Sequence, residues 1–180
     1  MVTVSIHQPN FCPRASYFQK MAMSDIFVFM SHCKYNSSGY QNRFNDGNKY
    51  HGMAVGKQYD IVDKTYNNHE RDWKRITAHF PSLHIFDNCI TNSLDRTNKK
   101  IILEACKILD IRTQIEYDKP TALTGTDRLI EICKRHNATH YLSGPSGTKY
   151  LDMAAFESAG IDVIFQNEAS MNTLPLYKLL

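Results

Sequence analysis

Three short segments of this 180-residue chain carry residue types that can do chemistry. The first is His7-Gln8-Pro9-Asn10. Histidine titrates close to neutral pH, so His7 can take or give a proton or hold a phosphoryl oxygen, while the amides of Gln8 and Asn10 offer donors and acceptors. The same residues also make an ordinary capped turn, and spacing alone weighs the two readings equally. The second segment is Ser143-Gly144-Pro145-Ser146-Gly147-Thr148-Lys149. Its two glycines let the backbone approach an anion, the hydroxyls of Ser143, Ser146 and Thr148 can donate, Lys149 can neutralise a phosphate, and a helix N-terminus after it adds partial positive charge. A plain strand-to-helix turn with a serine cap has the same composition. It is not a P-loop, because G-x-x-x-x-G-K-[ST] is absent. The third is Lys34-Tyr35-Asn36 with Tyr40-Gln41-Asn42-Arg43. Arg43 can fork onto a carboxylate or phosphate, and Tyr35 and Tyr40 can stack on a ring. A solvated hairpin explains most of this stretch, with Asn42 and Arg43 the least well explained by it.

The elements that would position these groups follow from periodicity. Val2, Val4 and Ile6 alternate with polar residues as a strand that delivers His7 to the turn at Pro9. Arg14 to Met23 has helical spacing, and Ile26 to Met30 is an uninterrupted apolar run. Strand, helix and buried strand in that order make a right-handed crossover unit of an α/β fold. Short strands near Gln41 to Asn45 and Lys49 to Val55 flank the turn Asp46-Gly47-Asn48, so a hairpin is expected as an insertion at about residues 34–56. Helices are expected over Glu70 to Phe80 and Lys99 to Leu109, with Ser82 to Leu94 ambiguous. Then come a strand at Thr113 to Tyr117, a helix from Thr124 to His136, a strand at Tyr141-Leu142, a helix at Tyr150 to Ser158 capped by Gly160, and a strand at Ile161 to Phe165. The expected fold class is α/β: one doubly wound, mostly parallel sheet with helices on both faces and an inserted hairpin, forming a single domain over residues 1–180.

Several functional classes find no support. The chain lacks G-x-S-x-G, H-E-x-x-H and a G-x-G-x-x-G after a strand, so those hydrolase, zincin and dinucleotide-oxidoreductase signatures are missing. Its five cysteines show no CxxC pair; Cys106 and Cys133 fall on apolar helix faces, leaving Cys12 and Cys33 as the two near interesting motifs. His79 and His84 flank a proline turn and are expected at the surface. No metal site and no evident cofactor is expected. Lys and Arg number 21 against 18 Asp and Glu, with the basic residues scattered rather than in a run, so nucleic-acid binding by charge alone is not indicated. Arg43 and Lys149 are the basic residues expected at a site, and the rest at the surface. The N-terminus goes straight into a strand and no run of about 18 apolar residues exists, so we expect a cytoplasmic protein with neither signal peptide nor membrane span.

Taken together, Ile6-His7-Gln8-Pro9-Asn10-Phe11, Pro13, Tyr17-Phe18, Lys20 and Ser24 to Phe29 resemble the opening of the WbqC-like protein family. Gln41-Asn42-Arg43, Tyr141 to Gly147, Tyr150-Leu151-Asp152, Phe156 and Gly160-Ile161 extend the resemblance to both ends of the chain. It implies a group transferase, in some cases for glycine or another amino-acid or acyl group, associated with surface-polysaccharide and other modification loci. Catalytic roles would then fall to His7 and Arg43. Substrate binding would fall to Gln8, Asn10, Tyr17, Gln41, Asn42, Ser143, Gly144, Ser146, Gly147 and Lys149. The sequence departs from the family pattern at Arg14 to Ser16 and at Ser31-His32, where an acidic pair is usual. The expected partner is a phosphorylated or nucleotide-linked small molecule, such as a nucleotide-linked sugar, or else a modified DNA base in a phage setting. A nucleotidylyltransferase-like enzyme and a non-catalytic nucleotide-binding module are the alternatives. Donor, acceptor and oligomeric state are not legible in the sequence.

Overall fold

A computed structural model describes residues 1–180, the side chain of Glu168 excepted. The chain divides into two compact units, one of residues 1–7, 19–30 and 112–171, the other of residues 8–18, 31–111 and 172–180.

The first unit holds five parallel strands: β1 (Thr3–His7), β2 (Ile26–Phe29), β5 (Gln114–Tyr117), β6 (His140–Ser143) and β7 (Asp162–Phe165), in the order β5-β2-β1-β6-β7. The expected α/β fold with a parallel sheet is present. Strand β1 is central and pairs in register with both neighbours, Val4 facing Ile26 on one side and Tyr141 on the other. Its apolar and polar residues alternate, and Thr3 to Ile6 are all buried. The reason is that helices cover both sides of the sheet. Helix α4 (Gly125–Arg135) and helix α5 (Met153–Ser158) pack Leu129, Ile132, Cys133 and Phe156 against Val4, Ile6, Val28 and Tyr141. On the opposite face the end of α1 (Ala15–Ala22) covers Ser5, whose hydroxyl lies 2.6 Å from that of Ser24. Each fully buried large apolar side chain here contributes roughly 1.5–3 kcal/mol.

The second unit contains the expected hairpin, as β3 (Arg43–Asn45) paired antiparallel with β4 (Tyr50–Gly52). The turn is built by Asp46, whose Oδ1 accepts from the backbone N–H groups of Asn48 (2.7 Å) and Lys49 (2.9 Å), with Gly47 at φ +108°. Those two amides, with His51 against the other oxygen, hold the Asp46 carboxyl well below the usual carboxylate range. Helices α2 (His69–His79) and α3 (Leu94–Ile108) start where Asn68 and Ser93 cap them. Between them Pro81–Cys89 is a 3-10 helix. Its buried residues Leu83, Phe86 and Cys89 recur every three positions, the period of that helix, which is why an α pattern fitted poorly. An aromatic core of Phe11, Phe44, Tyr66, Trp73 and Phe80 closes the unit.

Three helices end alike. Asp110, Asn137 and Gly160 take positive φ (+51°, +52° and +70°), and the N–H of the next residue reaches back to Cys106, Cys133 and Phe156 carbonyls. Each such stop is followed by a strand of the parallel sheet. Among the described residues no helix is long and apolar enough to cross a membrane.

Candidate functional site

Strand β1 ends at His7 and its parallel neighbour β6 ends at Ser143. From His7 the chain returns through α1 to β2 on one side of β1; from Ser143 it goes through α5 to β7 on the other. The connections therefore part at the carboxyl ends of β1 and β6, the switch point where open α/β sheets leave a crevice for ligands. His7 is half-buried there, and its carbonyl accepts from the N–H of Met30 at 2.9 Å.

The loop after β6 is a 3-10 helix, Pro145–Lys149, rather than the start of a long helix. It is largely self-bonded: Gly147 N–H donates to Gly144 O (3.0 Å), Thr148 Oγ1 to Pro145 O (2.9 Å) and Ser143 Oγ to Gly144 O (3.1 Å). The expected helix at Tyr150 begins only at Met153. Asp152 caps it by accepting from Ala155 N–H, so a carboxylate already answers that helix's N-terminal charge. What the loop presents to solvent is Ser146, Thr148 and Lys149, while Ser143 and Gly147 are buried.

The two loop glycines differ in kind. A Cβ on Gly147 would lie 2.1 Å from Ser143 Oγ, 3.0 Å from Leu151 Cδ1 and 3.2 Å from Phe165 Cε1, whereas one on Gly144 would meet nothing closer than Gln166 Oε1 at 4.0 Å. Gly147→Ala should thus lower stability by about 1–3 kcal/mol, and Gly144→Ala should leave it within about 0.5 kcal/mol. Urea midpoints of the two variants check this; equal midpoints would refute the packing argument.

Three basic residues expected at the surface are instead buried: Lys20, Lys64 and Arg128. Lys20 lies under the end of β1, its Nζ donating to the Ile6 carbonyl at 3.0 Å, one residue before His7. Burial pulls its pKa from 10.5 down to about 8. The folded chain then binds fewer protons on this amine than the unfolded chain between about pH 8 and 10.5, so this group's contribution to stability rises with pH across that window. Lys20→Met carries no such titration. The difference in unfolding free energy between wild type and Lys20→Met should therefore move in favour of wild type from pH 8 to 10.5; a flat difference would mean the amine is not desolvated. Arg128 on α4 pairs with Asp118 at the end of β5. Lys64, in the other unit, stands 4.2 Å from the Tyr35 ring centroid and donates to the Gln58 carbonyl.

The remaining candidates all belong to the second unit. Gln41 donates from Nε2 to Gln8 Oε1, Gln8 donates from Nε2 to Cys33 Sγ (3.2 Å), and Tyr17 Oη donates to the Gln8 carbonyl (3.0 Å). Asn98, which sequence reasoning missed, ties this group together: its Nδ2 donates to both Pro9 O (2.8 Å) and Gln41 O (2.6 Å), and its Oδ1 accepts from Tyr66 Oη. Gln8, Tyr17 and Gln41 are thus joined directly, and a buried asparagine that no motif marked braces the Pro9 and Gln41 backbone beside them. Asn42 is held elsewhere, between Tyr35 Oη (2.8 Å) and the Met53 carbonyl (2.9 Å). Arg43 donates from Nε to Gly39 O (3.1 Å) and lies over the Tyr50 ring at 4.6 Å. Asn10 is half-buried. His7 and the loop Ser143–Lys149 lie in one unit, and Arg43 in the other.

Burial disables one of the two cysteines near the motifs as a nucleophile. Cys12 is buried, with φ +45°, and desolvation pushes its thiol far above the ordinary range. Cys33 accepts the Gln8 amide. Ser31 donates to Asp95 Oδ1 (2.5 Å) of α3, which Lys99 also engages at 2.8 Å, so a carboxylate stands beside the position where the family's acidic pair is expected. Among the described residues no three of His, Cys, Asp and Glu gather as a metal-holding group.

A five-stranded parallel sheet whose connections part between β1 and β6 defines the class, an α/β protein. The model of the WbqC-like protein family matches residues 8–177, and the chain belongs to that family. It is 26% identical to an uncharacterized protein of Mycobacterium tuberculosis, Rv1507c, over 188 aligned positions covering 91% of this chain and 81% of that one. No solved structure matches.

Proposed function

We propose that the chain is a group-transfer enzyme that moves a glycine, another amino-acid or an acyl group to or from a phosphate- or nucleotide-activated acceptor at the carboxyl edge of the parallel sheet. One observation carries the reading: His7 and Ser143 end neighbouring parallel strands at the switch point, with the exposed Ser146 and Lys149 on the loop just beyond.

In the transfer direction an amine of the acceptor attacks the activated carbonyl carbon of the donor. A C–N bond forms, the bond to the donor's leaving group breaks, the amine proton passes to a ring nitrogen of His7 and from there to the leaving group. Lys149 and the Ser146 hydroxyl hold the phosphate. Positioning by the loop lowers the barrier by making the attack effectively intramolecular. The acceptors that fit are a nucleotide-linked aminosugar or a modified pyrimidine in DNA. Arg43 as a carboxylate- or phosphate-binding residue and Gln8, Asn10, Tyr17, Gln41 and Asn42 as polar substrate contacts remain proposals within their own unit, and no step above is routed through them.

The experiment is a mass-spectrometric screen of the purified chain with activated amino-acid and acyl donors against nucleotide-linked aminosugars and pyrimidine-modified oligonucleotides. A covalent mass gain on an acceptor is the expected result. Pyrophosphate release from a nucleoside triphosphate would replace the reading with nucleotidyl transfer, and ligand-induced thermal stabilisation with no product would replace it with a binding module.

A further inference from the structure

We propose that the hairpin-bearing unit carries a separate binding site for a nucleoside phosphate, with the phosphate held by Lys49 and Arg75 in a cleft between β4 and α2 and the base stacked on the Tyr40–Tyr50 pair. The cleft encloses about 230 Å3 and is lined by Lys49, Tyr50, His51, Arg75 and His79 among others. Its cations are set in place. Arg75 donates from Nη2 to the Gly52 carbonyl at 2.8 Å, which fixes the guanidinium at the mouth while leaving it other N–H groups. His79 sets its Nδ1 against the Arg75 carbonyl at 3.0 Å, so Nε2 is the ring nitrogen left for a ligand.

The acids nearby are already engaged. Asp46 accepts from two backbone amides and sits 2.8 Å from His51 Nε2. Asp72 is buried, accepts from the Ala54 N–H and shares its charge between Arg71 (3.3 Å) and Arg75 (3.9 Å). An anion entering the cleft therefore meets Lys49 and Arg75 without an uncompensated carboxylate in front of them.

The aromatic part adjoins the cleft. Tyr50 is 52% exposed and Tyr40 40% exposed, with ring centroids 6.2 Å apart. Each ring is backed by a guanidinium: Arg43 lies 4.6 Å from the Tyr50 centroid and Arg14 5.9 Å from that of Tyr40. Large rings that stay in water, polarised from one side by cations, give a planar base a stacking surface. In the sequence the cations are scattered; the fold gathers Arg14, Arg43, Lys49 and Arg75 around two tyrosines, which is the charged and aromatic arrangement that nucleotide units require. A free nucleotide and a nucleotide within a single strand present the same chemistry. Lys49, Tyr50 and Arg75 have no part in the group-transfer proposal.

The test is calorimetry and fluorescence anisotropy on the full chain with adenosine 5′-monophosphate, adenosine, ribose 5-phosphate and a short labelled oligothymidine. Adenosine and ribose 5-phosphate should each bind at least about tenfold more weakly than the nucleotide, because each lacks one half of the recognition. Tyr50→Ala and Arg75→Ala should each weaken nucleotide or strand binding about tenfold, and Tyr50→Phe should retain it. Circular-dichroism melts confirm that these exposed positions leave folding intact. A strand binding more tightly than the mononucleotide assigns the site to nucleic acid, and equal affinities assign it to free nucleotide; either supports the site. Ribose 5-phosphate binding as tightly as the nucleotide, affinities unmoved by both variants, or no binding of nucleotide and strand alike would overturn it.

Discussion

Replacing His7 by asparagine should lower turnover of the transfer reaction by about 10²–10⁴-fold, the usual contribution of a positioned acid–base group, while leaving the fold intact. The half-buried His7 side chain belongs to the last residue of β1, and its strand pairing with Phe29 is made by backbone, which asparagine preserves. Asparagine also keeps a hydrogen-bonding side chain and removes only the ability to move a proton. The fall should appear in kcat and kcat/KM alike, and the limb of the pH profile that reports the base should vanish. Thermal melts should coincide. Unchanged turnover with an intact fold would take His7 out of the chemistry.

The largest stability effect is expected at Asp118. Its side chain is 2% exposed and pairs with Arg128, whose side chain is 8% exposed and whose Nε has no partner. A buried ion pair adds little net stability over apolar residues, but removing one partner leaves an uncompensated charge in the interior. Asp118→Ala should therefore cost about 3–5 kcal/mol, a fall in Tm of roughly 10 °C for a chain of this size. Adding Arg128→Met to it should recover most of the loss, since the charge is then gone as well. A single-variant loss below about 1 kcal/mol would show that water reaches the pair. Because Asp118 closes β5 and Arg128 stands in the first turns of α4, the pair also fixes how that helix approaches the strand ends.

The sheet was legible because its strands are short apolar runs set off by turn residues, and the βα alternation leaves few topologies once right-handed crossovers are required. Val2 to Ile6, Ile26 to Phe29 and Ile161 to Phe165 carry that signal in their own residues. His7 and the Ser143–Lys149 loop were legible for the same reason, since a strand's end is where its pattern stops. Contacts to backbone carbonyls leave no such trace. Lys20 donates to Ile6 O, Lys64 to Gln58 O and Asn98 to Pro9 O and Gln41 O, and no residue type in the sequence marks a carbonyl as a partner. Composition placed those cations in water, and only the three-dimensional arrangement removes them from it. Likewise the clustering of Arg14, Arg43, Lys49 and Arg75 depends on the hairpin meeting α2, a long-range event that the scattered charges do not announce.

The central claim is that the ligand binds at the carboxyl ends of β1 and β6. Amide chemical-shift mapping tests it most directly, using a nucleotide-linked aminosugar and the chain carrying Tyr50→Ala and Arg75→Ala so that the cleft beside the hairpin is disabled. The largest shifts are expected at His7 and across Gly144–Lys149, saturating with ligand. Shifts confined to the amino ends of the strands, or to residues 31–111 alone, would contradict it.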